Sequence, residues 1–114
     1  MNFKVIAVDF DMTLAKTEYP TILKPNKFLI AYLLEQKRLG NKIVLWTCRC
    51  GEDLDAAVEW CKEQGLTFDA VNENIPEAIA RFKDDSRKIY ADYYIDDKNV
   101  QVKAPWIGPI WINI

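Results

Sequence analysis

The sequence predicts a three-layer α/β fold, a mainly parallel central sheet with helices on both faces. Three observations predict it. Short β-branched apolar runs, such as Lys4–Val8 and Lys42–Trp46, read as strands buried on both faces, the parallel-sheet type. Segments of helical periodicity alternate with them, as right-handed βαβ crossovers require. The strand runs also end in polar residues, at the edge where open parallel sheets bind ligands.

Lys4–Val8 stops at Asp9 and Asp11. From Pro25 to Leu39 apolar residues recur at helical spacing (Phe28, Leu29, Tyr32, Leu33, Leu39), and Gly40-Asn41 supplies the stop. Lys42–Trp46 repeats the buried-strand pattern and ends at Thr47. A second helix is written in Asp53–Gln64, with Leu54, Ala57, Val58 and Cys61 as its inner stripe and Gly65 as its end. Phe68–Val71 reads as a shorter strand, Pro76–Phe82 as a short helix, and Ala91–Ile95 as a fourth strand running into Asp96-Asp97. The Trp- and Ile-rich tail from Pro105 to Ile114, broken by Gly108-Pro109, is expected to hold a final edge strand. Residues 1–114 form a single domain in this reading, without repeat or linker.

Composition narrows the function classes. The chain is 50% hydrophobic, with 15 basic and 17 acidic residues and a net charge of −2. No basic run suited to duplex nucleic acid or an anionic membrane is present, so nucleic acid is disfavoured as a partner. Met1-Asn2-Phe3-Lys4 runs straight into the first strand without an apolar leader region, and no stretch has the length of a membrane span. Cys48, Cys50 and Cys61 are odd in number, and two of them lie one residue apart. That argues against a disulfide framework and for a cytoplasmic setting. With no histidine in the chain to complete a zinc site, they read as packing or loop thiols. The same absence removes Ser-His-Asp and Cys-His schemes, leaving carboxylates, lysine and a metal to carry any chemistry.

The strand ends supply such groups: Asp9 and Asp11, then Thr47, then Asp96 and Asp97. Carboxylates gathered at one sheet edge repel one another unless a hard cation neutralises them, and magnesium suits such a donor set beside a substrate phosphate. In Asp9-Phe10-Asp11 the two carboxylates are expected to face one pocket, one to attack and one to handle a proton. Thr47 is a candidate phosphate-oxygen donor near a helix N-terminus. Lys88, eight residues before Asp96, is a candidate point charge for the same pocket.

These residues resemble the haloacid dehalogenase superfamily of phosphohydrolases. Asp9-Phe10-Asp11-Met12-Thr13-Leu14 is similar to its first motif, Thr47 within Leu45-Trp46-Thr47-Cys48-Arg49 to its second, Lys88 to its third, and Ile95-Asp96-Asp97 to its fourth. Glu18-Tyr19-Pro20, Arg49 to Leu54, Ala57 to Cys61, Arg87 to Asp92 and Asp97-Lys98-Asn99 resemble a subgroup of small hydrolases without a cap domain. One departure is Met12, where the motif usually has glycine; a long thioether there is expected at the mouth of the site.

The resemblance implies a Rossmann-like fold and a phosphatase working through an aspartyl-phosphate. Asp9 is then the nucleophile and Asp11 the acid-base, with Thr47 and Lys88 holding the transferring group. Mg2+ is held by Asp9, the backbone carbonyl of Asp11, Asp96 and Asp97. About 35 residues separate Asp11 from Thr47, too few for a cap beside the first helix. An open site suits a phosphate on a macromolecule, or a small phosphorylated substrate enclosed by a neighbouring subunit of a homo-oligomer. Arg49, Tyr19 and Arg81 are candidate rim contacts, and Trp106 and Trp111 are candidates for core or interface. Two other readings use the same fold: a catalytically silent binding or scaffold protein, and a receiver-type phosphoacceptor. The receiver orders its residues differently, with an adjacent acid pair first and the lysine last.

Overall fold

The computed structural model describes residues 1–103 and 111–113, with side chains as far as Val100. β1 (Val5–Val8) has all four residues buried, as its unbroken β-branched and small apolar run requires. It leads through a tight loop into β2 (Ala15–Glu18) and β3 (Thr21–Pro25), a two-stranded antiparallel hairpin. After the hairpin come α1 (Lys27–Arg38), β4 (Lys42–Leu45), α2 (Gly51–Glu63), β5 (Ala70–Val71), α3 (Pro76–Phe82) and β6 (Tyr93–Ile95). β1, β4, β5 and β6 form one sheet in the order β5-β4-β1-β6, parallel throughout and flanked by helices.

Alternate residues of the strands enter two separate cores, as the period of two dictates. Ile6, Val8, Ile43 and Leu45 pack with Ile30 and Leu33 of α1 and with Ala57 and Cys61 of α2. Val5, Ala7, Val44 and Ala70 pack instead with Ile75, Ala78 of α3 and Ile89. Each fully buried Val, Leu or Ile is worth roughly 1.5–3 kcal/mol. These residues therefore hold the sheet edge rigid where the polar groups project.

Two expectations are corrected. The stripe proposed for α1 mixes two faces. Ile30 and Leu33 are buried and Leu29 packs against them, whereas Phe28 is 92% exposed and Tyr32 and Leu39 are also exposed. At 3.6 residues per turn, Phe28, Tyr32 and Leu39 share a face rotated well away from the one on the sheet. The expected edge strand exists as β8 (Trp111–Asn113), but it pairs antiparallel with β7 (Gln101–Lys103) in a separate two-stranded ribbon. Trp106 and the side chain of Trp111 lie outside the described residues. Elsewhere the elements agree to within a few residues, and α3 matches end for end.

The hairpin was not expected, because its strands lack an alternating apolar pattern; Ile22 is its one residue reaching the core cluster from β3. Tertiary bonds anchor it. Asn26 caps α1 by accepting from Leu29 N–H and donates from Nδ2 to the Thr13 carbonyl at 3.0 Å. Asn26 N–H donates to the Leu14 carbonyl at 2.8 Å. The loop after β1 and the start of α1 are thus one unit.

Candidate active site

The cleft lies beyond the carboxyl ends of β1, β4 and β6. It has a volume of about 420 Å³ and is lined by Asp9, Asp11, Trp46, Thr47, Cys48, Asp96 and Lys98. Backbone bonds set its floor: Asp9 N–H donates to the Ile95 carbonyl and Trp46 N–H to the Val8 carbonyl, both at 2.9 Å.

Asp9 accepts from the Phe10 N–H at 2.8 Å. Oxygen atoms of Asp9, Asp96 and Asp97 all lie within 4.8 Å of one another. Burial pushes the Asp9 carboxyl above the usual carboxylate range, against the Phe10 N–H, and the charges of Asp96, Asp97 and Asp11 push it the same way. Lys98 relieves part of this crowding. Its ammonium pairs with Asp97 at 3.1 Å and holds that carboxyl low, while its N–H donates to Asp96 Oδ1 at 2.9 Å.

Asp11 shares the cleft but not the carboxylate cluster. Its oxygens accept from Arg49 Nε at 2.9 Å and Nη2 at 2.8 Å, a bidentate pair, and Oδ1 also accepts from Thr17 Oγ1 at 2.9 Å. The Arg49 hydrogen bonds, with help from Thr17, hold the Asp11 carboxyl below its ordinary range. Arg49 is therefore no rim contact. It is 2% exposed, the largest fully buried side chain among the described residues. Sequence spacing missed it because its partner lies 38 residues away.

Thr47 lines the cleft as expected. Its Oγ1 accepts from Arg49 N–H at 3.2 Å, leaving the hydroxyl proton free to donate. Asn72, in the left-handed conformation just after β5, accepts from Thr47 N–H at 2.7 Å and fixes this loop. Nothing short of the tertiary fold marks Asn72 for this role.

Lys88 is not brought into the cleft lining. Its Nζ lies 5.3 Å from the centre of the Tyr94 ring, which packs on Trp46 at 5.4 Å, so it reaches the cleft wall only through that aromatic pair. The ammonium in the lining is that of Lys98, in the turn after Asp96-Asp97, which the sequence reading did not single out. Tyr19 is exposed, and its hydroxyl donates to Asp53 Oδ2 at 2.9 Å. Arg81 lies over the Phe82 ring at the end of α3, outside the lining. Met12 is also outside it. With φ at +57° it borders a shallow hollow on the hairpin with Lys16, Lys24 and Asn26. The cysteines join no carboxylate cluster among the described residues. Cys61 is a core thiol, pushed up to about 12 by burial.

A solved structure of a conserved protein from Bacteroides thetaiotaomicron matches this fold with a TM-score of 0.75 and 41% sequence identity, over 86% of this chain and 78% of that one. This chain belongs to the same family. At this identity the likeness is one of sequence as well as backbone. No protein-family model and no curated protein matches the chain. Among the described residues, no helix is long and apolar enough to cross a membrane.

Proposed function

We propose that the chain is a magnesium-dependent phosphohydrolase with a capless, three-layer Rossmann-like fold of the haloacid dehalogenase type, acting on a phosphate monoester through an aspartyl-phosphate. The observation that carries this reading is the gathering of oxygen atoms of Asp9, Asp96 and Asp97 within 4.8 Å of one another, with Asp9 and Asp96 lining a cleft together with Asp11 and Thr47. Three carboxylates this close call for a cation, and their hard oxygen donors fit magnesium. Asp9, Asp96 and Asp97 would hold it. When bound it supplies charge neutralisation for the phosphate and the nucleophile.

The remaining chemistry belongs to the chain's own residues. Asp9 attacks phosphorus, forming an O–P bond as the bond to the leaving oxygen breaks. Thr47 donates a hydrogen bond from its hydroxyl to a phosphate oxygen. The leaving oxygen takes its proton from solvent, because the Arg49 fork keeps Asp11 as the anion. Water then attacks phosphorus as the Asp9 O–P bond breaks, which releases phosphate and restores the Asp9 carboxylate. The water's proton passes to Asp11, which is held in the anionic form this step needs. Lys98 supplies a positive charge in the wall, and Lys88 adds a second by turning from the Tyr94 ring towards the bound phosphate.

The test is hydrolysis of an aryl phosphate with and without Mg2+, in the wild type and in Asp9→Asn. Metal-dependent turnover that falls by at least about 10³-fold in the variant is expected. Undiminished turnover in Asp9→Asn would sink the assignment.

A further inference from the structure

Arg49 is enclosed on every side. Its guanidinium lies 4.8 Å from the Phe10 ring centre and 4.9 Å from that of Tyr19, one ring belonging to the loop after β1 and the other to the hairpin turn. Nη2 donates to the Pro20 carbonyl at 3.1 Å as well as to Asp11, and Nη1 donates to the Asp53 carbonyl at 3.2 Å. The Tyr19 hydroxyl closes the arrangement on the Asp53 carboxylate. One side chain thus joins the β1 loop, the hairpin turn and the first turn of α2.

A buried guanidinium is costly unless its donors are matched, and here bonds to a carboxylate and two carbonyls match them. Replacing it with apolar packing would satisfy a core equally well. Its particular consequence falls on Asp11. A carboxylate offers about four acceptor directions, and Arg49 Nε, Arg49 Nη2 and Thr17 Oγ1 occupy three of them. One direction remains for the cleft that Asp11 lines.

We infer that Arg49 is a positioning residue, which uses the hairpin and α2 as a brace to aim the one free acceptor direction of Asp11 at the reacting group. The inference rests on the phosphohydrolase reading of Asp11. It also assigns the hairpin a purpose: Tyr19 and Pro20 shape the enclosure that makes the fork rigid, and Thr17 places the third donor. Lysine keeps the charge but lacks the planar fork, so the exchange is not conservative here.

The experiment compares wild type, Arg49→Lys and Thr17→Val in Mg2+-dependent hydrolysis of an aryl phosphate, with circular dichroism and thermal melting run in parallel. A folded Arg49→Lys is expected to lose about 10- to 100-fold in kcat, within the range acid-base groups contribute, with KM changed less than about threefold. Thr17→Val should show the same pattern at about three- to tenfold. Wild-type kcat in a folded Arg49→Lys overturns the inference and leaves the phosphohydrolase reading intact. A raised KM at unchanged kcat also overturns it, by making Arg49 a substrate contact. Should Arg49→Lys not fold, Thr17→Val decides, and wild-type kcat there overturns the inference. A wild type without metal-dependent turnover overturns both readings.

Discussion

Asp9 and Asp11 stand two residues apart and line one cleft, yet their surroundings differ in sign. Around Asp9 are Asp96 and Asp97, and burial with their charge holds its proton more tightly than an ordinary carboxylate does. Around Asp11 are the Arg49 fork and Thr17, which hold its carboxyl low. Among the described residues, Asp9 has one backbone N–H bonded to it and no cationic partner in contact, whereas Asp11 has a bidentate guanidinium. The difference teaches how the fold treats two neighbouring acids: it supplies Asp11 with a bonded positive charge, and on the proposed reading Asp9 is the one that takes a cation from solution.

The comparison can be broken most severely by removing each acid in turn. Asp9→Asn is expected to lower turnover by at least about 10³-fold, and Asp11→Asn by about 10²-fold or more. Their stabilities should diverge. Asp11→Asn leaves the Arg49 charge buried without its carboxylate, a loss of about 3–5 kcal/mol when such a pair is broken. Asp9→Asn removes repulsion and should raise the melting temperature of the metal-free chain. Calorimetry on the two variants checks this, and equal shifts would dissolve the contrast.

Next in size is the response to metal. A cation bound to the native state alone, present at about 100 times its Kd, stabilises by about 2.7 kcal/mol. The wild type should therefore melt higher in Mg2+, and Asp96→Asn should lose most of that gain. Melting curves recorded against Mg2+ concentration test it; a gain retained in full by the variant would remove Asp96 from the site.

The pH dependence follows with its sign. Asp9 must be ionised to attack, so activity should fall on the acid side as pH drops through its raised value, above the ordinary carboxylate range. Asp11, held low, stays ionised there and does not set this limb. Added Mg2+ favours the Asp9 anion and should move the limb to lower pH. Linkage gives the two acids opposite slopes. The raised Asp9 contributes stability at low pH that is lost as pH rises through its folded value, whereas the lowered Asp11 contributes stability that is lost as pH falls through its own. Profiles of kcat/KM at two metal concentrations measure the shift.

The smallest expected effect lies beside the pair. Met12 holds a left-handed backbone, with φ at +57°, that glycine adopts freely. Met12→Gly should stabilise by up to about 1 kcal/mol and leave kcat unchanged, since its side chain lies outside the cleft lining. Chemical denaturation gives the answer.

The sequence by itself determined the parallel sheet, its helices and the strand-end acids. Val5–Val8, Lys42–Leu45 and Pro76–Phe82 could be read because periodicity and punctuation are local properties of the chain. Asp9, Asp11, Thr47 and Asp96 were legible for the same reason, each lying just beyond such a run. The inner face of α1 was read less well, because Phe28 and Tyr32 satisfy a helical period as readily as Ile30 and Leu33 do. Only the tertiary structure decided that a hairpin follows the aspartate loop, that Asn72 fixes Thr47, that Lys98 rather than Lys88 stands in the wall, and that Arg49 is buried. Those outcomes depend on contacts such as Arg49 with Asp11 and Pro20, across 38 and 29 residues. Their energy comes from enclosing and matching a charge, and no pattern along a single segment carries that information.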